Sequence, residues 1–194
     1  MLHIAGSEST DRLRLDRKEA LPSGPLGVLV RETACACDGP AARLAERIVP
    51  ALAAAAADPA LVAAAQCQPQ ADGYARHALY GDPQGRFTIL ALVWNAGQFS
   101  PPHAHHAWCA YAVRTGVLSE TLYAYDSAAG LARPSRVAAR AAGYACFAQG
   151  GLDQIHRLGN AGAEPAISIH VYGVARDRIA THVNRMVQVA PAEG

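Results

Sequence analysis

The chain has 194 residues, enough for one domain with a full core, and two domains would be cramped. Only 17% of residues are charged and the formal net charge is +1, with Lys and Arg scattered rather than striped, so no electrostatic field argues for nucleic acid, a membrane surface or a polyanion. The five cysteines, Cys35, Cys37, Cys67, Cys109 and Cys146, are an odd set without a paired framework, which suits a reducing compartment.

The first stretch, Met1 to Thr10, lacks the cationic head and long apolar centre of a signal peptide, and a soluble cytoplasmic protein is expected. Residues 1–24 read as a loosely held lead-in with one short helix near Asp11 to Ala20. Cys35-Ala-Cys37 is too closely spaced for a zinc knuckle and has no matching pair. Ala41 to Ala57 carries Leu44, Ile48, Val49 and Leu52 at helical spacing, interrupted by Pro50. Asp58-Pro59 then predicts an N-cap and first-turn proline for a second helix, Ala60 to Ala65. Arg43, Glu46 and Arg47 argue against membrane insertion of this alanine-rich region, and its helices are expected to pack outside a sheet.

From Tyr74 the texture changes to strands. Tyr74 to Tyr80 alternates, Gly81 to Gly85 is a turn, and Phe87 to Trp94 is a strongly apolar strand, so the pair predicts a hairpin. Further strands are expected over Val113 to Tyr125, hinged near Gly116, over Arg136 to Ala141, over Tyr144 to Phe147 and over Ala166 to Val174. Six or more strands with turn chemistry between them predict a mainly β sandwich or small barrel, with the helices confined to the N-terminal end. The charged segment after Gly173 is left unassigned between the barrel mouth and the surface.

The chemistry concentrates in the histidines. On an extended strand His103 and His105 project to the same side about 6.6 Å apart, close enough to share one metal ion. His156 lies in His156-Arg-Leu-Gly-Asn160, and Ser168-Ile-His170-Val-Tyr172 alternates on one face. Three imidazoles without a cluster of thiols or carboxylates suit a divalent first-row metal, and on ligand type alone iron, zinc, nickel and copper all remain open. A lone strand histidine is ordinarily a packed or surface residue, and His77 and His106 keep that reading, as does Trp108 as a packing residue or pocket wall.

These residues resemble the cupin superfamily. Its first motif runs Gly, five residues, His-x-His, three or four residues, Glu, six residues, Gly, and Gly97, His103, His105 and Gly116 fall in register. The second motif ends in His, three residues, Asn, matched by His156 and Asn160, although its internal proline is missing. Cys109 occupies the acidic ligand position. Three histidines without the acidic ligand look like the thiol dioxygenases, above all the cysteine dioxygenase family, over about Tyr74 to Tyr172.

That resemblance implies a cupin-like double-stranded β-helix, a small β-barrel or jelly roll with N-terminal α-helices packed outside. It divides one cupin-type domain, 1–194, into a helical lead-in at 1–70, a barrel core at 71–175 and a tail at 176–194. It implies ferrous iron, Fe(2+), on His103, His105 and His156. It further implies a substrate carboxylate on Tyr74 and Arg76, and Ser168, His170 and Tyr172 lined up behind the iron. Cys109 falls where animal members carry a cysteine joined by a thioether to that tyrosine, while many bacterial members have glycine. Two departures stand out: Ala104 replaces the Asp common between the paired histidines, and the tail, which partly sets substrate selectivity in the family, diverges.

The implied activity is oxidation of a small carboxylate-bearing thiol, L-cysteine first, to its sulfinic acid with O2. 3-Mercaptopropionate and mercaptosuccinate remain open because Arg76 reports only a carboxylate. A non-catalytic cupin that binds a metal or small ligand as a sensor is the reading from another class, and a metal-dependent isomerase or another cupin oxygenase would make Arg76, His170 and Tyr172 coincidental. Partners are expected to be the thiol and O2, without nucleic acid or membrane.

Overall fold

The computed structural model describes residues 21–191. The helix expected near Asp11 to Ala20 lies outside them. Among the described residues two helices come first, α1 (Gly24–Cys37) and α2 (Leu44–Ala57). α1 is absent from the sequence expectations. Pro25 starts it, where the missing N–H costs nothing, and Leu29, Val30, Thr33 and Ala36 make its buried face. Cys35 and Cys37 fall in its last turn, away from any metal-ligand cluster among the described residues.

α2 buries Leu44, Ile48, Leu52, Ala55 and Ala56, tolerates Pro50 on its exposed side, and stops at Asp58-Pro59. The second helix expected over Ala60 to Ala65 is instead two separate 3-10 turns, Pro59–Leu61 and Ala64–Cys67. Asp58 does cap the first, accepting from the Ala60 N–H at 2.8 Å, but Leu61 and Val62 turn inward at once and leave no length for an α-helix.

Ten strands follow: β1 (Ala75–Gly81), β2 (Thr88–Trp94), β3 (His103–His105), β4 (Cys109–Thr115), β5 (Val117–Asp126), β6 (Leu131–Ala141), β7 (Ala145–Ala148), β8 (Gly151–Gly159), β9 (Ala166–Tyr172) and β10 (Asn184–Met186). They form two five-stranded antiparallel sheets, β1-β2-β9-β4-β7 and β10-β3-β8-β5-β6. From β2 onward, apart from the β5–β6 hairpin, the chain crosses from one sheet to the other at every connection. This is the cupin-like double-stranded β-helix that the motifs imply, with α1 and α2 on the outer face of the first sheet.

Strand periodicity sorts the core into two layers. Ile89, Ala91, Ala110, Ala112, Ile169 and Val171 point outward and are covered by Leu29, Val30, Ile48 and Leu52 of the helices. Their alternates, Leu90, Leu92, Trp94, Tyr111, Val113 and Tyr172, point inward against Leu118 and Leu158 of the second sheet. Coverage on both faces explains why β2 reads as one unbroken apolar run. Arg114 ties helix to sheet by donating from β4 to the Ala56, Asp58 and Pro59 carbonyls at 2.8, 2.6 and 3.2 Å, where the end of α2 leaves acceptors free.

The hinge expected at Gly116 is a tight β4–β5 turn with φ +77°, and an added Cβ would stand 2.9 Å from that of Ala166. β6 begins earlier than expected, and Pro134 within it is tolerated because β6 is the sheet's edge. β8 and β10 have no counterpart in the sequence expectations. β10 assigns part of the charged tail: it pairs with the other side of β3, Asn184 opposite His105 and Met186 opposite His103. Among the described residues no helix is long and apolar enough to cross a membrane.

Candidate metal centre and its cavity

β3 and β8 lie side by side with His103 directly opposite His156, and His105 falls on the same face two residues on. Ring centroids are 5.0 Å apart for His103–His105, 4.7 Å for His103–His156 and 5.2 Å for His105–His156. One nitrogen from each ring lies within 4.8 Å of the others. The three side chains are buried, at 5, 4 and 9% exposure.

Two rings have one nitrogen committed away from the centre. His103 Nδ1 lies 2.8 Å from the Pro101 carbonyl, an acceptor only, so it carries the hydrogen and leaves Nε2 with a free lone pair. His156 Nδ1 lies 2.8 Å from Glu120 Oε1, which likewise places a hydrogen on Nδ1. The other Glu120 oxygen accepts from Arg140 Nε at 2.8 Å, and the Arg140 guanidinium sits 4.2 Å from the centroid of the Tyr144 ring. Burial pushes the Glu120 carboxyl upward, but the bonds and charges of His156 and Arg140 together outweigh it and hold the group below the usual carboxylate range. The buried carboxylate therefore orients a histidine instead of standing among the ring nitrogens as a fourth ligand.

Burial, helped by the mutual repulsion of the imidazolium charges, pulls His103 down to about 4 and His105 to about 2. Both are neutral ligands at physiological pH. Three imidazoles, two with one ring N–H held from behind, fit a divalent first-row metal.

Above the histidines a cavity of about 420 Å³, open mouth included, is lined on one side by Tyr74, Arg76, Trp94, His170, Tyr172 and Asn184. Tyr74 stacks on Trp94 with centroids 4.2 Å apart. Arg76 is held loosely, its guanidinium donating to the Ile179 carbonyl at 3.4 Å. Trp94 Nε1–H donates to Ser168 Oγ at 2.9 Å, Ser168 Oγ lies 2.8 Å from His170 Nε2, and His170 Nδ1 lies 3.0 Å from the Tyr172 hydroxyl. Burial pulls His170 down to about 3 and pushes the Tyr172 phenol well up. Cys109 sits opposite Tyr172 in the β4–β9 register, its sulfur 3.6 Å from both ring nitrogens of His105 and so across the ring rather than along one N–H. Burial pushes that thiol well up.

Every residue singled out for the site, Tyr74, Arg76, His103, His105, Cys109, His156, Ser168, His170 and Tyr172, thus lies in or against one cavity. His106 is exposed and His77 lines neither this cavity nor the ring cluster. Sequence reasoning missed Glu120, Arg140, Trp94 and Asn184. Glu120 had a signal: it shares the inward face of β5 with Leu118 and Leu122, where an unpaired carboxylate would be costly. Asn184 had none, because only pairing with β3 brings it to the cavity.

The fold is similar to solved structures at low identity. A protein of Thermus thermophilus is 19% identical, with TM-score 0.45, covering 57% of this chain and 91% of that one. An uncharacterised Klebsiella pneumoniae protein with a double-stranded β-helix domain is 17% identical, with TM-score 0.46, covering 61% and 88%. A cupin superfamily protein of Desulfitobacterium hafniense is 9% identical, with TM-score 0.41, covering 55% and 83%. The sequence profile of cysteine dioxygenase type I matches residues 46–185, a span that holds most of α2, strands β1 to β9 and every site residue above, and indicates a dioxygenase-type enzyme acting on a small molecule with O2. By that match, over well more than half its length, the chain belongs to the cysteine dioxygenase type I family.

Proposed function

We propose that this protein is an iron(II)-dependent thiol dioxygenase whose substrate is L-cysteine. The reaction is R–SH + O2 → R–SO2H: sulfur loses four electrons, O2 gains four, and both oxygen atoms stay on sulfur. The observation that carries the reading is the meeting of three imidazoles from β3 and β8 in a cavity that also presents the Arg76 guanidinium and the Tyr172 phenol. His103, His105 and His156 would hold the iron on one side, and the bound ion would supply open positions where thiolate and dioxygen meet.

The remaining roles belong to the chain itself. Arg76 pairs with the substrate carboxylate, because a guanidinium offers a planar fork with two N–H groups to its two oxygens. Tyr74, stacked on Trp94, braces the same side of the mouth. Leu92, Leu158 and Trp94 supply the buried apolar part of the cavity lining, below the exposed Arg76 at its mouth. Trp94 can only donate, which leaves the Ser168 hydrogen for His170 Nε2, the His170 Nδ1–H for the Tyr172 oxygen, and the Tyr172 hydrogen to point into the cavity. Tyr172 thereby offers one aimed donor to the bound substrate or product.

The test is direct. Protein loaded with one iron per chain is given cysteine, 3-mercaptopropionate or mercaptosuccinate under O2, and oxygen uptake and sulfinate are measured. Cysteine sulfinate in step with oxygen uptake is expected. If no thiol gives a sulfinate, the enzyme reading is lost; if only another acid thiol does, the substrate assignment moves to it.

A further inference from the structure

The histidine cluster is reached from two sides. The cavity with Arg76 reaches from the ring cluster toward β1 and β10, the first strands of the two sheets, which contribute Arg76 and Asn184. A second cleft, about 310 Å³ with its open mouth, is built toward the opposite ends, from β7 and β5. Both clefts end on the same four side chains, His105, Cys109, Tyr111 and His156.

Their chemistry differs. The first presents Arg76 to an anion, whereas among the described residues no Lys or Arg lines the second. Leu122, Ala148 and Cys146 form its wall, Gln154 stands at the solvent end, and the carboxylate that lines it, Glu120, already spends an oxygen each on His156 and Arg140. An anion entering here would meet that carboxylate with no free cation to receive it. At its inner end the buried Tyr111 hydroxyl has the weakly polar Cys146 thiol for a neighbour and no nitrogen or oxygen partner.

From these observations we infer that the second cleft admits and holds a small uncharged gas, dioxygen, while the anionic thiol uses the side of Arg76. The inference rests on the dioxygenase reading above. A diatomic apolar molecule forfeits no hydrogen bond on passing between Leu122, Ala148 and Cys146, and it gains dispersion contacts with their apolar atoms. Burial pushes the Cys146 thiol up to about 11 and the Tyr111 phenol higher still, so these two groups add no charge beside the paired Glu120 carboxylate at neutral pH. A thiol seated at Arg76 would plug the first cavity, yet the gas would still arrive. Separate doors remove the conflict between an ionic substrate and an apolar one.

Xenon, an apolar probe of similar size, tests the cleft without turnover. Crystals of the metal-loaded protein pressurised with xenon are expected to show an anomalous peak between Leu122, Ala148 and Cys109. Ala148→Phe fills the cleft, and it is expected to abolish that peak and raise the KM for O2 severalfold, with the thiol KM and iron content unchanged. Leu122→Trp fills the same space from β5 and replaces it should Ala148→Phe fail to fold. A chain of ordered water joining Tyr111 and Gln154 with no xenon peak overturns the inference, as does a filled cleft with unchanged KM for O2. Either result together with sulfinate formation defeats the second cleft alone. A wild-type protein that makes no sulfinate defeats the dioxygenase reading itself, and the assignment of dioxygen to the cleft goes with it.

Discussion

The carboxylate behind His156 and the guanidinium at the cavity mouth make separable demands on the centre. Glu120→Gln keeps the size of the side chain but withdraws the charge that orients the His156 N–H and pairs with Arg140. Metal affinity is expected to fall about 10- to 100-fold, read by competition with a chromogenic chelator, while Arg76 and the cavity stay as they are. Arg76→Ala should leave metal content untouched and raise the KM for cysteine. The lost charge-assisted bond, about 1.5 to 3 kcal/mol, corresponds to a factor of roughly 10 to 150. Cysteamine, which has no carboxylate, should show no such loss; an equal rise for both thiols would remove Arg76 from substrate binding. His103, His105, Cys109 and His156 were legible because each falls at a fixed spacing within a motif, and Ser168, His170 and Tyr172 because they alternate on one strand. Trp94 and Arg140 were not, since their roles exist only through partners 74 and 20 positions away in sequence.

At the scale of elements, the site depends on how closely β8 approaches the loop before β3. A Cβ at Gly159 would fall 2.3 Å from the Phe99 ring and 2.4 Å from the Gln98 carbonyl, neither of which can withdraw without opening that contact. Gly159→Ala is therefore expected to destabilise by about 1 to 3 kcal/mol, visible as a lower Tm, and to loosen metal binding because His156 sits three residues upstream on the same strand. A Tm within a degree of wild type would show that the loop yields freely. β1, β2, β5, β7 and β9 were readable from alternation and turns, the buried β2 from its continuous apolar run, and β4 only in its last three residues from Val113. α1 was hidden by its opening Gly24-Pro25 and by small residues that carry little periodic signal. β10 was hidden because three residues, Asn184, Arg185 and Met186, become a strand only when β3 supplies the hydrogen bonds.

For the whole molecule, acid is the expected weak point of the metal-free protein. His103, His105 and His170 are held neutral, at about 4, 2 and 3, against about 6.5 in an unfolded chain. Above pH 6.5 neither state takes up these protons. As pH falls from 6.5 toward 4 the unfolded chain takes them up and the folded one does not, so stability is lost by up to about 1.4 kcal/mol per pH unit for each ring. Thermal melts of metal-free protein should show Tm dropping from pH 7 to pH 5. His170→Asn should flatten that slope by about a third, and an unchanged slope would mean the ring is not held neutral. The pairing of β3 also has a consequence for biosynthesis. Its two neighbours, β8 and β10, are both translated later, so a nascent chain that has only just exposed His103 and His105 lacks the third imidazole and the strand that pins the first two. Ion loading should therefore wait until β8 and β10 have emerged, and ribosome-bound chains halted before residue 151 should retain none.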